Sequence, residues 1–495
     1  MSLNDLVTAV NGIIWSPALI ALCLGTGLYF SLRSRFLQVR HAKEMVRLMF
    51  EGKSSEQGVS SFQALSMTLA GRVGTGNIAG VATAITFGGP GAVFWMWAVA
   101  FLGASSAFVE STLGQVYKEQ LGKEYRGGPA FYIEKGLGMK WYAWTFAIAT
   151  VIATGLLLPG VQANSIAQGM TNAWDINPAI TAAVVVLALG FIIFGGVKRI
   201  AHFAQIAVPF MALAYMLIAI GILALNLDRV PAMFMLIIDS AFGWNAGFGA
   251  VLGLAIEWGV KRGIYSNEAG QGTGPHAAAA AEVTHPAKQG YVQAFSVYVD
   301  TLLVCSATAF LILSTGMYNV QGPDGAMIVN ALPGIEAGPG FAQASVESVL
   351  PGIGAPFVAI ALLFFAFTTI VAYYYMAETN IAYINRKVHR PWLTLALRVG
   401  IMAAVAYGSV RSASLAWGLG DIGVGMMAWL NLFAILFLQK PAVQALRDYE
   451  RQKKAGLDPV FEPEALGIRN ATFWQRRVDT GEVAAPPPPP PSERP

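Results

Sequence analysis

Gly71-Arg72-Val73-Gly74-Thr75-Gly76-Asn77-Ile78-Ala79-Gly80 interrupts an otherwise apolar run of membrane-spanning length, residues 63–87. Hydrocarbon cannot hydrogen-bond a freed N–H or C=O. Irregular backbone at bilayer depth therefore persists only where it is packed in protein or lines a wet cavity. Ions and solutes are the usual occupants of such breaks. Working outward from this stretch, the rest of the chain sets what kind of membrane protein surrounds it.

The chain has 495 residues, 55% hydrophobic and only 12% charged, which excludes an ordinary soluble domain. Apolar runs of spanning length fall at 12–32, 63–87, 91–117, 141–163, 178–197, 203–225, 243–263, 290–316, 350–377, 392–410 and 415–438, about eleven transmembrane helices in an all-α polytopic protein. With the N-terminus outside, 28 of the 32 lysines and arginines fall on inner segments, Lys261, Arg262 and Lys288 among them. Arg229 and Arg411 fall outside, and Arg72 and Arg398 lie within spans. That asymmetry predicts a cytoplasmic C-terminus. The net charge of +4 comes from loops, with no basic-aromatic interleaving, so no nucleic-acid partner is expected. Cys23 and Cys305 sit in apolar spans and read as small core residues. After the last span, Arg447, Arg451, Lys453 and Lys454 form a basic patch suited to anionic membrane lipid, and Pro486 to Pro491 to a polyproline tail.

The second span and the seventh, which runs through Gly259-Val260-Lys261-Arg262-Gly263 to Gly274, are the two interrupted by glycine and polar residues. Setting the first span aside, they open the two halves of a five-plus-five arrangement. An odd number of helices per half makes the repeats inverted, and paired broken helices point to a transporter's binding site. Gly74 and Gly76 allow backbone angles that free the N–H groups of Thr75 and Gly76 for a carboxylate. Carbonyls near Ala70 and Val73, with the Asn77 side-chain oxygen, offer oxygens to a hard cation, sodium being the natural guess. Close helix packing of Gly76 and Gly80 is the plainer alternative. In the ninth span Thr368 and Thr369 put two hydroxyls mid-helix, with the Phe365 carbonyl nearby. They complete a cation site if they face the second span, and otherwise bond back along their own helix.

Gly74-Thr75-Gly76-Asn77-Ile78-Ala79-Gly80-Val81-Ala82-Thr83-Ala84, Gly88-Gly89-Pro90-Gly91-Ala92 with Phe94-Trp95-Met96-Trp97, and Arg262-Gly263-Ile264-Tyr265-Ser266-Asn267-Glu268-Ala269-Gly270 resemble the signatures of the alanine or glycine:cation symporter family, from about residue 10 to 445. The resemblance implies a LeuT-like fold of two inverted five-helix repeats plus one extra N-terminal helix. It also implies sodium-coupled symport of a small neutral amino acid by alternating access across the cell (inner) membrane, with no organic cofactor. Carried over, Thr75, Gly76 and Asn77 meet substrate or ion, Thr368 and Thr369 match the hydroxyl pair of the sodium site, and Ala70 and Val73 give carbonyls. The expected division is residues 1–62 for the first helix and a basic segment, 63–242 and 243–440 for the two repeats, and 441–495 for the tail.

Gln162, after Pro159-Gly160, and Gln168, within two turns of it, are candidate partners for the substrate's amine or carboxylate, or helix-pairing amides. Tyr265 and Tyr373 are candidate pocket walls. Tyr373 stands where alanine carriers are expected to have tryptophan, which leaves room for a longer side chain such as glutamine. Arg72, Glu110, Glu257, Glu268 and Asp300 are intramembrane charges, costly enough to presume a role. Glu268 and Asn267, following Lys261-Arg262, read as an inside gate, and Asp300 or Glu257 as a counter-charge for a cation. A cation channel and a membrane-embedded enzyme are the competing classes. Repeated pore-lining segments are not visible, and His41, His202, His276, His285 and His389 show no metal-type spacing.

Overall fold

The computed structural model describes residues 3–482 except Lys53, Asn245 and His389; those three positions and the proline run lie outside the described residues. Among the described residues, seven helices are long and apolar enough to cross a membrane. Leu3–Ile14 and Pro17–Arg33 form one further span, bent by 43°, and Pro178–Ile193 is a shorter apolar helix. The two expected spans still missing from that set are the second and the seventh, because both are split. The second is Ser61–Arg72, then a π-helical turn Gly76–Gly80 and a helix Val81–Gly88; the seventh is Leu252–Asn267 and Gly274–Ala280. With these the expected eleven are all present.

The outer surface is apolar: Phe191 is 73% exposed, Phe210 68% and Leu217 61%, whereas Arg72, Glu110, Glu268 and Asp300 are all buried. That inversion suits a lipid solvent. The two split spans cross the interior in opposite directions. Val59 N–H donates to Ala280 O at 3.0 Å and Glu282 N–H to Val59 O at 2.8 Å, tying the start of the second span to the end of the seventh at one face. At the other face a Cβ on Gly88 would lie 3.0 Å from Leu254 O, so the second span ends where the seventh begins. Opposed, paired breaks are what inverted halves produce.

The first span packs outside this pair, with Trp15 Nε1 donating to Asp421 O at 2.9 Å and Asn11 Nδ2 to Gly418 O at 2.8 Å. Between the third and fourth spans lies a short hairpin, β1 (Glu119–Leu121) with β2 (Glu124–Arg126); between the eighth and ninth lies β3 (Asn319–Gln321) with β4 (Met327–Asn330). Beyond the last span, helix Gln439–Lys454 and the segment to Asp479 fold back over the end that carries Val59 and Glu282. Trp474 is fully buried there and donates to Gln115 O at 2.8 Å, and Phe461 N–H donates to Thr284 O at 3.0 Å. In the basic patch Arg451 pairs with Asp448 of its own helix and Lys453 with Glu44, while Arg447, Lys453 and Lys454 are exposed.

Candidate functional site

Helical geometry would send the N–H of Gly74 to Ala70 O, of Thr75 to Gly71 O and of Asn77 to Val73 O. None of these pairings is used. Gly74 N–H donates to the Asn77 side-chain Oδ1 at 2.8 Å, Thr75 N–H to Gln162 Oε1 at 3.0 Å, and Asn77 N–H to Gly74 O at 3.2 Å. The carbonyls of Ala70, Gly71 and Val73 are thereby released from the ladder. Ala70 O is taken up by the ninth span: Thr369 Oγ1 lies 2.8 Å from it and 3.0 Å from Phe365 O. Thr368 Oγ1 donates to the same Phe365 O at 2.9 Å. Both hydroxyls thus back-bond within their helix, and only Thr369 also reaches the second span. A set of oxygens from Ala70, Phe365 and Thr369 sharing few protons is the environment a hard cation takes.

Several expectations need correcting. Gly74 and Gly76 are absent from the residues with positive φ, so they are not there for backbone freedom. They are there for space. A Cβ on Gly74 would lie 2.3 Å from Thr369 Oγ1 and 3.0 Å from Gln162 Oε1, and one on Gly76 would lie 3.1 Å from Ser266 Cα. Gly76 therefore seats the two breaks against each other, and Gly74 is the position that keeps the pocket open. The Asn77 oxygen is occupied in capping Gly74, and its Nδ2 donates to Asp300 Oδ1 at 2.7 Å, so Asn77 is a brace between the second and eighth spans. Asp300 reaches the site because it sits in the π-helical turn Tyr298–Cys305, and it also accepts from Ser266 Oγ at 3.1 Å and Thr301 Oγ1 at 2.7 Å.

In the seventh span the positive-φ residues are Glu268, Gly270 and Gly272, where the chain turns between its two helices. Gly270 and Gly272 donate backbone N–H groups to Glu110, at 3.2 and 3.1 Å. Lys261 and Arg262 precede this turn and are buried within the span, on the Gly88 side of the break, so they leave the inner tally of positive charge. Arg262 makes a two-pronged pair with Asp421, both contacts 2.8 Å, and Lys261 adds a third at 2.9 Å. Arg262 stacks on Trp417, whose ring lies 4.9 Å from that of Tyr265. Lys261 and Arg262 are thus committed to Asp421, beside Trp417 and Tyr265 on the Gly88 side of the break, while Glu268 accepts from Thr273 and Asn267 donates to Thr301. Glu257 is half-buried and lies eleven residues ahead of Glu268, where that turn begins.

Gln162, Tyr265 and Tyr373 come together: Gln162 Nε2 lies 3.5 Å from the Tyr265 hydroxyl, the Tyr373 hydroxyl approaches the Gln162 amide, and all three are buried. Thr75 Oγ1 is buried without a protein partner. Gln168 is not part of this cluster. It lines a separate cavity of about 580 Å3 with Asn172, Glu336 and Gln343. Sequence reasoning missed Gly74's steric role, Ser266, Trp417 and Asp421. Asp421 is the only acidic residue of the eleventh span, a signal open to the same intramembrane-charge argument.

A model of the sodium:alanine symporter family matches residues 1–463. The sodium/proton-dependent alanine carrier protein of Bacillus sp. strain PS3 is 54% identical over 87% of this chain and 97% of its own. The probable sodium/glutamine symporter GlnT of Bacillus subtilis strain 168 is 42% identical over 94% of this chain and 95% of its own. Among solved structures, an outward-open, substrate-bound sodium-coupled sialic acid symporter superposes with a TM-score of 0.50 at 13% identity, covering 96% of this chain and 98% of that one, which shows the LeuT-like fold alone. Sequence motifs, split helices and fold agree: this chain is a multi-pass membrane protein that belongs to the sodium:alanine symporter family.

Proposed function

We propose that this protein couples sodium influx to uptake of a small neutral amino acid, alanine or glycine, by alternating access, leaving the solute chemically unchanged. The observation that carries this reading is the meeting of the Ala70 carbonyl, the Phe365 carbonyl and the Thr369 hydroxyl beside the freed N–H of Thr75. Sodium takes the first group of oxygens, with Val73 O and Thr368 as further ligands. The substrate carboxylate exchanges with Gln162 Oε1 at the Thr75 N–H, within the positive end of the half-helix that follows. Gly76 holds the two breaks in register, Asn77 braces the second span against the eighth, and Tyr265 with Tyr373 wall the side-chain space.

The repeats run from 63 to 242 and 243 to 440, with the first span as an added element. The protein sits in the cell (inner) membrane with its N-terminus outside. Moving Lys261 and Arg262 into the span leaves the charge asymmetry intact. Glutamine is the second reading, favoured by Tyr373 as the pocket wall in place of a bulkier ring. Equilibrium binding of labelled alanine to the purified protein, with sodium and with potassium, tests the proposal. Sodium-dependent binding competed by glycine supports it, competition by glutamine alone selects the second reading, and binding indifferent to sodium overturns both.

A further inference from the structure

Arg72 is the last residue of the helix that leads into the first break, 1% exposed, at a depth where an unpaired guanidinium is costly. Its Nη1 is satisfied by Gln293 O at 3.0 Å and by the Ser296 hydroxyl. Its Nε and Nη2, the two donors along one edge of the fork, are buried and have no partner. Three carboxylates act on it electrostatically, those of Glu268, Glu110 and Asp300, yet none accepts a hydrogen bond from that edge.

Two of the three are already committed. Glu110 accepts from Gly270, Gly272 and Asn431, and Asp300 from Asn77, Ser266 and Thr301. Glu268 accepts from Thr273 Oγ1 at 2.9 Å through one oxygen only, and its other oxygen is buried and unpartnered. Glycines pack against both groups. A Cβ on Gly274 would lie 3.1 Å from Arg72 Nη2 and 3.7 Å from the unpartnered Ser111 Oγ, and one on Gly71 would lie 3.3 Å from Glu268 Oε2.

A guanidinium with a free edge and, within its field, a carboxylate with a free oxygen, net neutral as a pair, match an α-amino acid: parallel N–H donors for its carboxylate and an acceptor for its ammonium. We propose that Arg72 and Glu268 form a second, inner station for the zwitterionic solute, between the break and the face that carries Val59 and Glu282. The solute passes from the Thr75 N–H to this station on its way to release. This rests on the transport reading above and adds a residue pair that acts on the release side alone.

The test uses the full-length protein in proteoliposomes, with labelled alanine as probe, and compares sodium-dependent binding from the outer side with the KM for efflux of internal alanine. R72Q and E268Q are expected to keep outer binding within about threefold of wild type. Their efflux KM rises at least about tenfold, the loss of one charge-assisted contact, and R72K, a point charge without the fork, falls between. E268Q, which retains the Thr273 contact and the side-chain volume, decides the matter where R72Q fails to fold. An unchanged efflux KM would show that the pair meets only water, and equal losses on both sides would make Arg72 a structural brace; either overturns the inner station. Absence of sodium-dependent binding in wild type would instead overturn the transport reading, and the station with it.

Discussion

Thr369→Ala removes one hydroxyl from the place where the second and ninth spans meet. That hydroxyl lies 2.8 Å from Ala70 O and 3.0 Å from Phe365 O, so it is the atom that joins the break to the ninth span. Losing a ligand of this kind to a charge costs about 1.5–3 kcal/mol. At about 1.4 kcal/mol per tenfold, the sodium concentration for half-activation rises roughly 10- to 150-fold. Alanine affinity at saturating sodium moves less, because the substrate side of the site uses Thr75 and Gln162. Thr369→Ser restores the hydroxyl and with it the sodium curve. Thr368→Ala has a smaller effect, since its hydroxyl reaches Phe365 O and the Met211 sulfur but not Ala70. The assay is sodium-activated uptake of labelled alanine at fixed membrane potential. A sodium curve that Thr369→Ala leaves in place would refute the reasoning, as would an equal loss of sodium and alanine affinity.

Gly74→Ala puts a methyl 2.3 Å from Thr369 Oγ1 and abolishes sodium-dependent binding, whereas Gly80→Ala, whose nearest neighbour would be 3.6 Å away, retains it; binding measured on both variants decides this. Asp421→Asn strips Arg262 and Lys261 of their buried carboxylate and lowers stability by about 3–5 kcal/mol, read as a fall in the thermal midpoint in detergent. The fourth concerns pH. Burial lowers the pKa of His285, which accepts from Ala287 N–H through Nδ1 and meets Asp448 through Nε2 at 3.2 Å. Burial works against the charge of Asp448, but its bonds from His285, Arg451 and Gln452 hold its carboxyl below the usual range. Both groups bind protons more readily when unfolded. Their stability is therefore full above the unfolded histidine's pKa, near about 6.5, and is lost as pH falls through it, with Asp448 adding to the loss below about pH 4. The melting midpoint should fall between pH 6.5 and 5, and His285→Asn, which keeps an acceptor and a donor, should flatten that slope. An unaltered slope would assign it elsewhere.

The membrane class, the eleven spans and both breaks were legible because hydropathy and glycine placement act locally along the chain. Thr369, Gln162, Tyr265 and Tyr373 were legible as candidates because each is a residue whose chemistry is conspicuous inside a span. What sequence could not give was direction. Gly74 and Gly76 look alike in the chain, and only the packing shows one facing Thr369 and the other Ser266. Gln168 sits two turns from Gln162 but lines a separate cavity, since the fourth span carries it away from the break. Lys261 and Arg262 stand at the end of the apolar run 243–263 and count there as inner charges, whereas the helix continues to Asn267 and buries them against Asp421. The partner that makes such burial tolerable lies 159 residues away, beyond the reach of local pattern.

Uptake of labelled alanine, glycine and glutamine into proteoliposomes, with sodium, potassium and proton gradients imposed one at a time, tests the central claim most directly. The account predicts accumulation of alanine or glycine above equilibrium under an inward sodium gradient, with the solute recovered unchanged. Accumulation that is indifferent to sodium, or none of any of the three solutes, would contradict it.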